Sequence, residues 1–544
     1  MWKRISNPPL FYPSCLVLLW LIAVVLIHPF GEFPINDDWA YSKNVFNLVV
    51  HKQFILDPWP AMTLISQTLW GVLFTFLLGF SFTALKISTL VLAIIGSFGL
   101  YHLVLLLSKQ RTHAFLITSI FCYNPLFLTL SFTYMTDVFF VVFLLLSFRS
   151  AFLYLSSGKK SDLGLFTLFC LIATLDRQYG ILTPLVFLPV FLLMEKISTR
   201  SLIWAGFPLA VSLFGHYGYH LVLKLYHIPS NMSGMTKLSG YLDGFSIDQC
   251  LSKAVDILLL IGLICIPFAI SAGLNLKTMR VKSLPALSCI ALIVGVLIYF
   301  FGTHFPNGNV ITLSGVGPKL IRNAEGREHL KFAMSNALLV LLKITGGISV
   351  TLLLFHLTRK EVSLKTLRTP VTLFYLGLRL FVLIYFLFSI ANVNYFDRYI
   401  LPILLVALLL TIPSWGPNEL FQRLATGLYV FGFTLLTFFL VKDYYSWEQT
   451  RWTAIHDLEA SGHNAHQIDG GFEYNGWYQP GPFGGNEKEP GKSWWWVDKD
   501  VFIIAAAPVK SYLLRKTFVY QHCIPFERDT VFVLEKDTLT NLSR

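Results

Sequence analysis

The sequence predicts a mainly α, polytopic helical membrane protein that ends in a small α/β domain, and three observations carry that prediction. Of 544 residues, 55 % are hydrophobic and 13 % charged, with a mean hydropathy of +0.63; the charged fraction is about half that of a soluble domain. The apolar residues fall in long blocks, many near the ~20 residues that a membrane span needs. The Lys and Arg behind the net charge of +12 sit mostly in short loops between those blocks, the distribution that orients a membrane protein. A soluble enzyme, a disordered chain, collagen and a small disulfide scaffold are excluded, and nucleic acid is not expected as a partner. Of seven cysteines, Cys15, Cys122, Cys170, Cys265 and Cys289 lie in apolar stretches; Cys250 and Cys523 fall in loop or tail, leaving one bridge open.

Met1 to Arg4 is basic, and the run from about Leu10 to Phe30 is longer than a signal-peptide core and lacks a small-residue cleavage site. It reads as an uncleaved first span with its N-terminus in the cytoplasm. Further spans are expected near residues 95, 123, 147, 170, 187, 213, 263, 294, 347, 380, 406 and 433, about thirteen in all. Met62 to Phe80 is apolar but carries Thr63, Ser66, Gln67 and Thr68. If it does not cross, the loops holding Lys109 and Arg111, Lys159 and Lys160, Lys196 and Arg200, Lys277 to Lys282, and Arg359 to Arg368 are all positive-inside. It therefore reads as interfacial or re-entrant. The division is a membrane domain over 1–442, with a first outer loop at 31–81, and an extracytoplasmic domain over 443–544. That last part is polar, rich in Gly and Pro from Asn475 to Lys492, and has strand-like runs at Val501 to Ala506, Thr517 to Tyr520 and Val531 to Leu534.

Directly after the first span comes Phe33-Pro34-Ile35-Asn36-Asp37-Asp38-Trp39. Asn36 is suited to cap a helix whose first turn holds both carboxylates, and Trp39, Phe46, Val49 and Val50 give it an apolar stripe, which implies a membrane-surface helix. Asp37 and Asp38 are either ordinary helix-start residues or a reactive pair, because adjacent carboxylates at a lipid interface repel and gain from a cation or a proton donor. Asp137, in Thr133-Tyr134-Met135-Thr136-Asp137, opens a later span on the same face, where it is a helix-start residue or a partner of the first two acids. Asp176-Arg177-Gln178-Tyr179 adds a charged pair, read most simply as self-neutralising.

Basic residues on the outer face are fewer: Lys319, Arg322, Arg327 and Lys331 in one loop, and Arg398 in Tyr395-Phe396-Asp397-Arg398-Tyr399-Ile400-Leu401-Pro402. They suit an anionic headgroup or phosphate, the loop set being equally readable as a solvated surface. Within the spans, Arg149, Lys343 and Arg379 must snorkel, pair or line a cavity; Arg149 is expected to snorkel inward. In the tail, Glu473, Trp477 and Tyr478 join an acid to aromatic faces that suit a sugar, or else build a small-domain core or interface belt.

An acidic pair after the first span, an Asp after Met-Thr at a later span, an Arg-Gln element and an Arg-Tyr-x-x-Pro opening a late span together resemble GT-C glycosyltransferases that use polyprenyl-phosphate sugars. The resemblance is to the protein O-mannosyltransferase and aminoarabinose (lipid A) transferase branch and covers roughly residues 1 to 440. It implies an inverting transfer from a polyprenyl-phosphate sugar to a hydroxyl acceptor, which is a lipid, polysaccharide or protein. The site would face the periplasm across a bacterial inner membrane. Asp37 would be the base and Asp38 its support. Asp137 would bind a divalent metal, Mg or Mn, or orient the phosphate; Arg177 and Arg398 would hold phosphate charge or shape the cavity, and Lys319 and Arg322 join them as phosphate-binding candidates by their charge on the outer face. The sequence departs from the pattern in lacking a clear His partner for a metal near these acids. The rival reading is a transporter or flippase of a lipid-linked or small polar substrate, which predicts internal repeats and midplane acids; the acids here cluster at the outer edge.

Overall fold

The computed structural model describes residues 10–194, 198–228, 246–269, 284–317, 319, 321, 334–359, 368–392, 395–414, 420–478, 497 and 500–537. The first helix, α1 (Phe11–Ile27), shows how the spans are built: Leu16, Trp20, Ala23 and Ile27 line one buried face while Leu18, Leu21 and Val25 are exposed, a helix buried against protein on one side and left for lipid on the other. It stops at His28, which adopts a left-handed conformation and returns its N–H to Val24.

Next come α2 (Asp38–Val49), α3 (Ile65–Leu78), α4 (Phe82–Ser108), α5 (Arg111–Cys122), α6 (Pro125–Ser131), α7 (Thr136–Ser157), α8 (Lys160–Asp176), α9 (Leu182–Met194) and α10 (Thr199–Leu225). There follow α11 (Ile247–Ile264), α12 (Leu284–Phe301), α13 (Asn336–Arg359), α14 (Pro370–Ala391), α15 (Leu401–Thr411), α16 (Leu420–Ala460) and α17 (Phe472–Tyr478). The expected span positions fall on these helices except the one near 123, but those near 187 and 406 fall on helices of 13 and 11 residues, shorter than a full span. Among the described residues six are long and apolar enough to cross a membrane, so the chain is an integral, multi-pass membrane protein.

The expected span near 123 is two helices, α5 and α6, bent by 70°. Asn124 accepts from the backbone N–H of Leu126 and Phe127, and Pro125 begins the new helix, a cap and a stop side by side. α3, the ambiguous segment, has 14 residues, about 21 Å of rise against the ~30 Å hydrocarbon core. Its polar side is used: Thr63 and Ser66 donate to the carbonyls of Thr174 and Ile172, and Gln67 donates to that of Tyr134. Arg149 hydrogen-bonds Nδ1 of His102 on α4, so it is paired rather than merely snorkelling.

α16 runs through Asp443 and ends only at Ala460, so the change of composition at 443 falls inside a helix. Beyond it lies a four-stranded sheet in the order β3 (Ile468–Asp469), β4 (Phe502–Ala505), β6 (Arg528–Lys536), β5 (Tyr512–Gln521); β3 pairs parallel with β4 and the other pairs are antiparallel. A small hairpin, β1 (Ile311–Thr312) and β2 (Gly315–Val316), precedes α13. Residues from α1, the first loop, α7, α15, α16 and the sheet belong to one hydrophobic core. All seven cysteines are free thiols.

Candidate active site

The ends of several helices converge. Asp37 follows α1, Asp137 lies in the first turn of α7, Arg177 ends α8, and Arg398 sits in the short 3-10 turn (Asp397–Ile400) that opens α15. Arg398 Nη2 lies 3.1 Å from Asp37 Oδ2, and its Nε is 3.9 Å from Asp137 Oδ2. On the other side, Arg177 Nη2 lies 2.9 Å from Asp137 Oδ1. Two carboxylates and two guanidiniums therefore alternate in one string, and charge cancels along it. Asp137, Arg177 and Arg398 are nearly wholly buried, while the Asp37 side chain keeps 13 % of its surface open. Asp37 is thus the accessible end of the string.

The expected pairing of Asp176 with Arg177 gives way to this arrangement. Arg177 is extended where α8 stops, so its side chain crosses to Asp137 and also donates from Nε to the Thr136 hydroxyl at 2.8 Å. Asp37 is held on its other oxygen by the indole N–H of Trp59, at 3.0 Å. Tyr399 faces both guanidiniums.

Asp38 has a different setting from Asp37. It is 1 % exposed, and its Oδ2 accepts from the backbone N–H of Ile35 at 3.4 Å. Burial pushes its carboxyl up to about 8, against the backbone N–H of Tyr134 and the nearby Lys86 ammonium, with the Asp37 charge adding to the rise. It braces the loop and offers no open face to an acceptor. Asn36 is not the cap: it takes a left-handed conformation (φ 55°) and Asp37 holds the cap position. Asn tolerates that conformation better than most residues.

That twist points the Asn36 N–H at Glu473 Oε1, 3.1 Å away, across 437 residues of chain. Glu473 is fully buried, with its other oxygen 2.7 Å from Arg451 Nη1, while Arg451 Nη2 lies 3.0 Å from Glu448. Around this bond α17 clamps α2: Phe472 meets Trp39 and Trp59, Trp477 stacks on Phe80 and abuts Phe46, and Lys43 donates to the Gly476 carbonyl at 2.7 Å. Trp39 and Phe46 of the expected membrane-surface face are therefore covered by protein, while Val50 stays half exposed. Glu473 and Trp477 are committed to this clamp rather than presented to a glycan; Tyr478 keeps 40 % of its surface. Lys319 stands against the tail, with Nζ 3.2 Å from the Tyr520 hydroxyl and over the Trp447 ring. Arg322 lies outside the described residues, as do Arg327 and Lys331.

Asp137 does not suit a divalent cation. Its carboxylate lies between two guanidiniums, whose fixed positive charge opposes a metal at the same oxygens, and among the described residues no group of three or more His, Cys, Asp or Glu is placed to hold one.

Sequence reasoning placed Asp37, Asp137, Arg177 and Arg398 on one face, and the structure brings all four together. It missed Trp59, Glu473 and Arg451 as supports. Trp59 lies in the same outer loop as Asp37 and was within reach of a local reading; the other two carry no local signal.

The fold and site define a polytopic helical membrane protein with an acid and guanidinium cluster where the ends of α7, α8 and α15 meet the loop after α1. No family model matches the chain, and no curated protein matches it. Among solved structures it is similar to ArnT from Cupriavidus metallidurans bound to undecaprenyl phosphate, with 11 % identity and a TM-score of 0.47 over 98 % of this chain and 99 % of that one. It is also similar to the archaeal oligosaccharyltransferase AglB from Archaeoglobus fulgidus in complex with an inhibitory peptide and a dolichol-phosphate, with 12 % identity and a TM-score of 0.42 over 82 % of this chain. The chain spans 58 % of the length of that archaeal protein.

Proposed function

We propose that this protein is an integral-membrane glycosyltransferase that moves a hexosyl or pentosyl unit, with inversion, from a polyprenyl-phosphate carrier to a hydroxyl acceptor on the extracytoplasmic face of a bacterial inner membrane. The observation that supports it is the string of Asp37, Arg398, Asp137 and Arg177, with its one accessible carboxylate at the end. Asp37 takes the acceptor proton as the acceptor oxygen bonds to the anomeric carbon. The bond from that carbon to the phosphate oxygen breaks, and its electron pair leaves with the polyprenyl phosphate. Arg398 and Arg177 offset the charge that develops there, in a buried setting where such charges act strongly. Asp137 holds both guanidiniums in position, and no step passes through a metal.

The test is release of free polyprenyl phosphate from a panel of labelled polyprenyl-phosphate sugars, with envelope extract as acceptor, by wild type beside Asp37→Asn. Asn keeps the shape and can still face Trp59, so folding and donor binding should survive while turnover falls by about 10²- to 10⁴-fold. Equal turnover in the variant removes Asp37 as the base. No release from any donor by folded protein removes the transferase reading.

A further inference from the structure

Two cavities follow one another along α12, one over most of its length and one at its C-terminal end, apart from the acid and guanidinium string. The first is a groove of about 650 Å³ between α12 and α13, walled by apolar side chains such as Val294, Ile298 and Ile344 and deepened by Gly295 and Gly347. Lys343 is the one charged residue among its described walls. It stands seven residues into α13, about 10 Å below the outer end. The second is a chamber of about 760 Å³ that includes Phe300 and Phe301, directly after Tyr299 of the groove. Its polar walls include Asp248, Gln249 and Lys253 from the start of α11, His304 and Asn307 from the loop after α12, and Tyr395. Both volumes lie in the ~300–1,000 Å³ range of small-molecule sites.

The two together have the polarity of one amphiphile. α12 has a single buried residue, Val294, so lipid must cover most of it. An apolar groove inside the hydrocarbon suits an alkyl chain, and an ammonium in its outer part suits an anionic linkage. A chamber with a carboxylate, amides and aromatic edges suits a hydroxyl-rich head. The Tyr395 hydroxyl, buried and without a partner among the described residues, is one donor still to be satisfied there.

We propose that this groove and chamber bind the acceptor, and that the acceptor is a lipid of the outer leaflet with an anionic, hydroxylated headgroup. The proposal rests on the glycosyl-transfer reading. The donor phosphate is assigned to Arg177 and Arg398, and neither lines the chamber. The chamber nonetheless flanks that site: Tyr395 is three residues before Arg398, and the loop after α12 is tied to the intervening Asp397 by the backbone N–H groups of Asn309, Val310 and Ile311, at 3.1, 3.2 and 2.7 Å.

The experiment uses full-length protein in lipid nanodiscs and a phosphatidylglycerol probe with a photoreactive group in its acyl chain. A Cβ at Gly295 meets nothing within 4 Å, so the backbone there accepts a side chain, and Gly295→Trp places an indole in the groove. Gly432→Trp, equally open but on α16, is the control. Expected are crosslinks to α12 and α13 in wild type and control, a loss of about tenfold in Gly295→Trp, and a similar loss in kcat/KM with lipid extract as acceptor. Displacement of the probe by envelope lipid extract supports the assignment. Displacement by undecaprenyl phosphate alone gives the groove to the donor, and displacement by glycerol phosphate gives the chamber to a soluble anion; either overturns it. Crosslinking unchanged in Gly295→Trp, or transfer only to a protein or polysaccharide fraction, also overturns it. If no donor is turned over but the crosslink is still lost in Gly295→Trp, the lipid site stands without its acceptor role and the transferase reading is what fails.

Discussion

Asp137 carries the heaviest electrostatic duty of any residue in the site, because two buried guanidiniums depend on it. Removing one member of a buried ionic group leaves the others uncompensated, at a cost of about 3–5 kcal/mol. Asp137→Ala should therefore lower the thermal midpoint of the detergent-solubilised protein as well as its turnover, whereas Asp37→Asn, which leaves Arg398 its contact with Asp137 and sits at the open end of the string, should lower the midpoint much less than it lowers turnover. The same pairing predicts that turnover survives EDTA without loss, since the guanidiniums already supply positive charge; loss on chelation, restored by Mg or Mn, would return Asp137 to the role of metal ligand. Which face each residue shares was legible from the order of spans, because hydropathy and loop charge are local quantities. The pairing was not. Asp176 next to Arg177 looked like the natural partner, but the extended backbone at the end of α8 sends consecutive side chains apart, and that geometry is set by the packing of α7 and α8.

At the level of elements, the working unit is the contact of α17 with α2. Gly476 has to be a glycine there, since a Cβ would run into the Trp39 indole. Gly476→Ala should push α17 away from α2, loosen the Asn36 to Glu473 bond and lower kcat by roughly tenfold to a hundredfold, the scale that misplacing a reacting group by about 1 Å produces. Gly206→Ala on α10, open on all sides, should leave kcat as it is. Comparing the two in the release assay, with donor KM measured alongside, separates loss of positioning from loss of binding; equal kcat in both would detach α17 from catalysis. The bend between α5 and α6 was written locally in Asn124-Pro125 and went unread because hydropathy averages over it. The clamp has no such signature: Glu473 followed by aromatics looks the same whether it is turned outward to a sugar or inward to Arg451.

Across the whole molecule, the C-terminal sheet is tied to the longest helix by a second charged joint. His522 lies between Asp443 of α16 and Asp529 of β6, 3.7 Å from each. The carboxylates of Asp443 and then Asp529 beside its ring raise its pKa from 6.5 to about 9, against burial and Lys319. A pKa raised in the folded state means that this stability is complete below about pH 6.5 and is lost as pH climbs through about 9. Thermal melting should show a midpoint that falls more steeply between pH 7 and 9 in wild type than in His522→Gln, the raised Asp38 carboxyl contributing a fall to both; parallel curves would remove His522 as the cause. The strands were legible as short apolar runs in a polar tail, and their joint to α16 was not, because it connects residues about eighty positions apart.

The bond from Asn36 to Glu473 also sets an order in time. The acids of the first loop leave the ribosome early, while the carboxylate that fixes their backbone is made more than four hundred residues later. A nascent or truncated chain that stops before α17 has its spans and its acids but lacks the brace that holds them. Synthesis must therefore reach α17 before Asp37 gains this brace, and chains that stop short of α17 should show no turnover in the release assay.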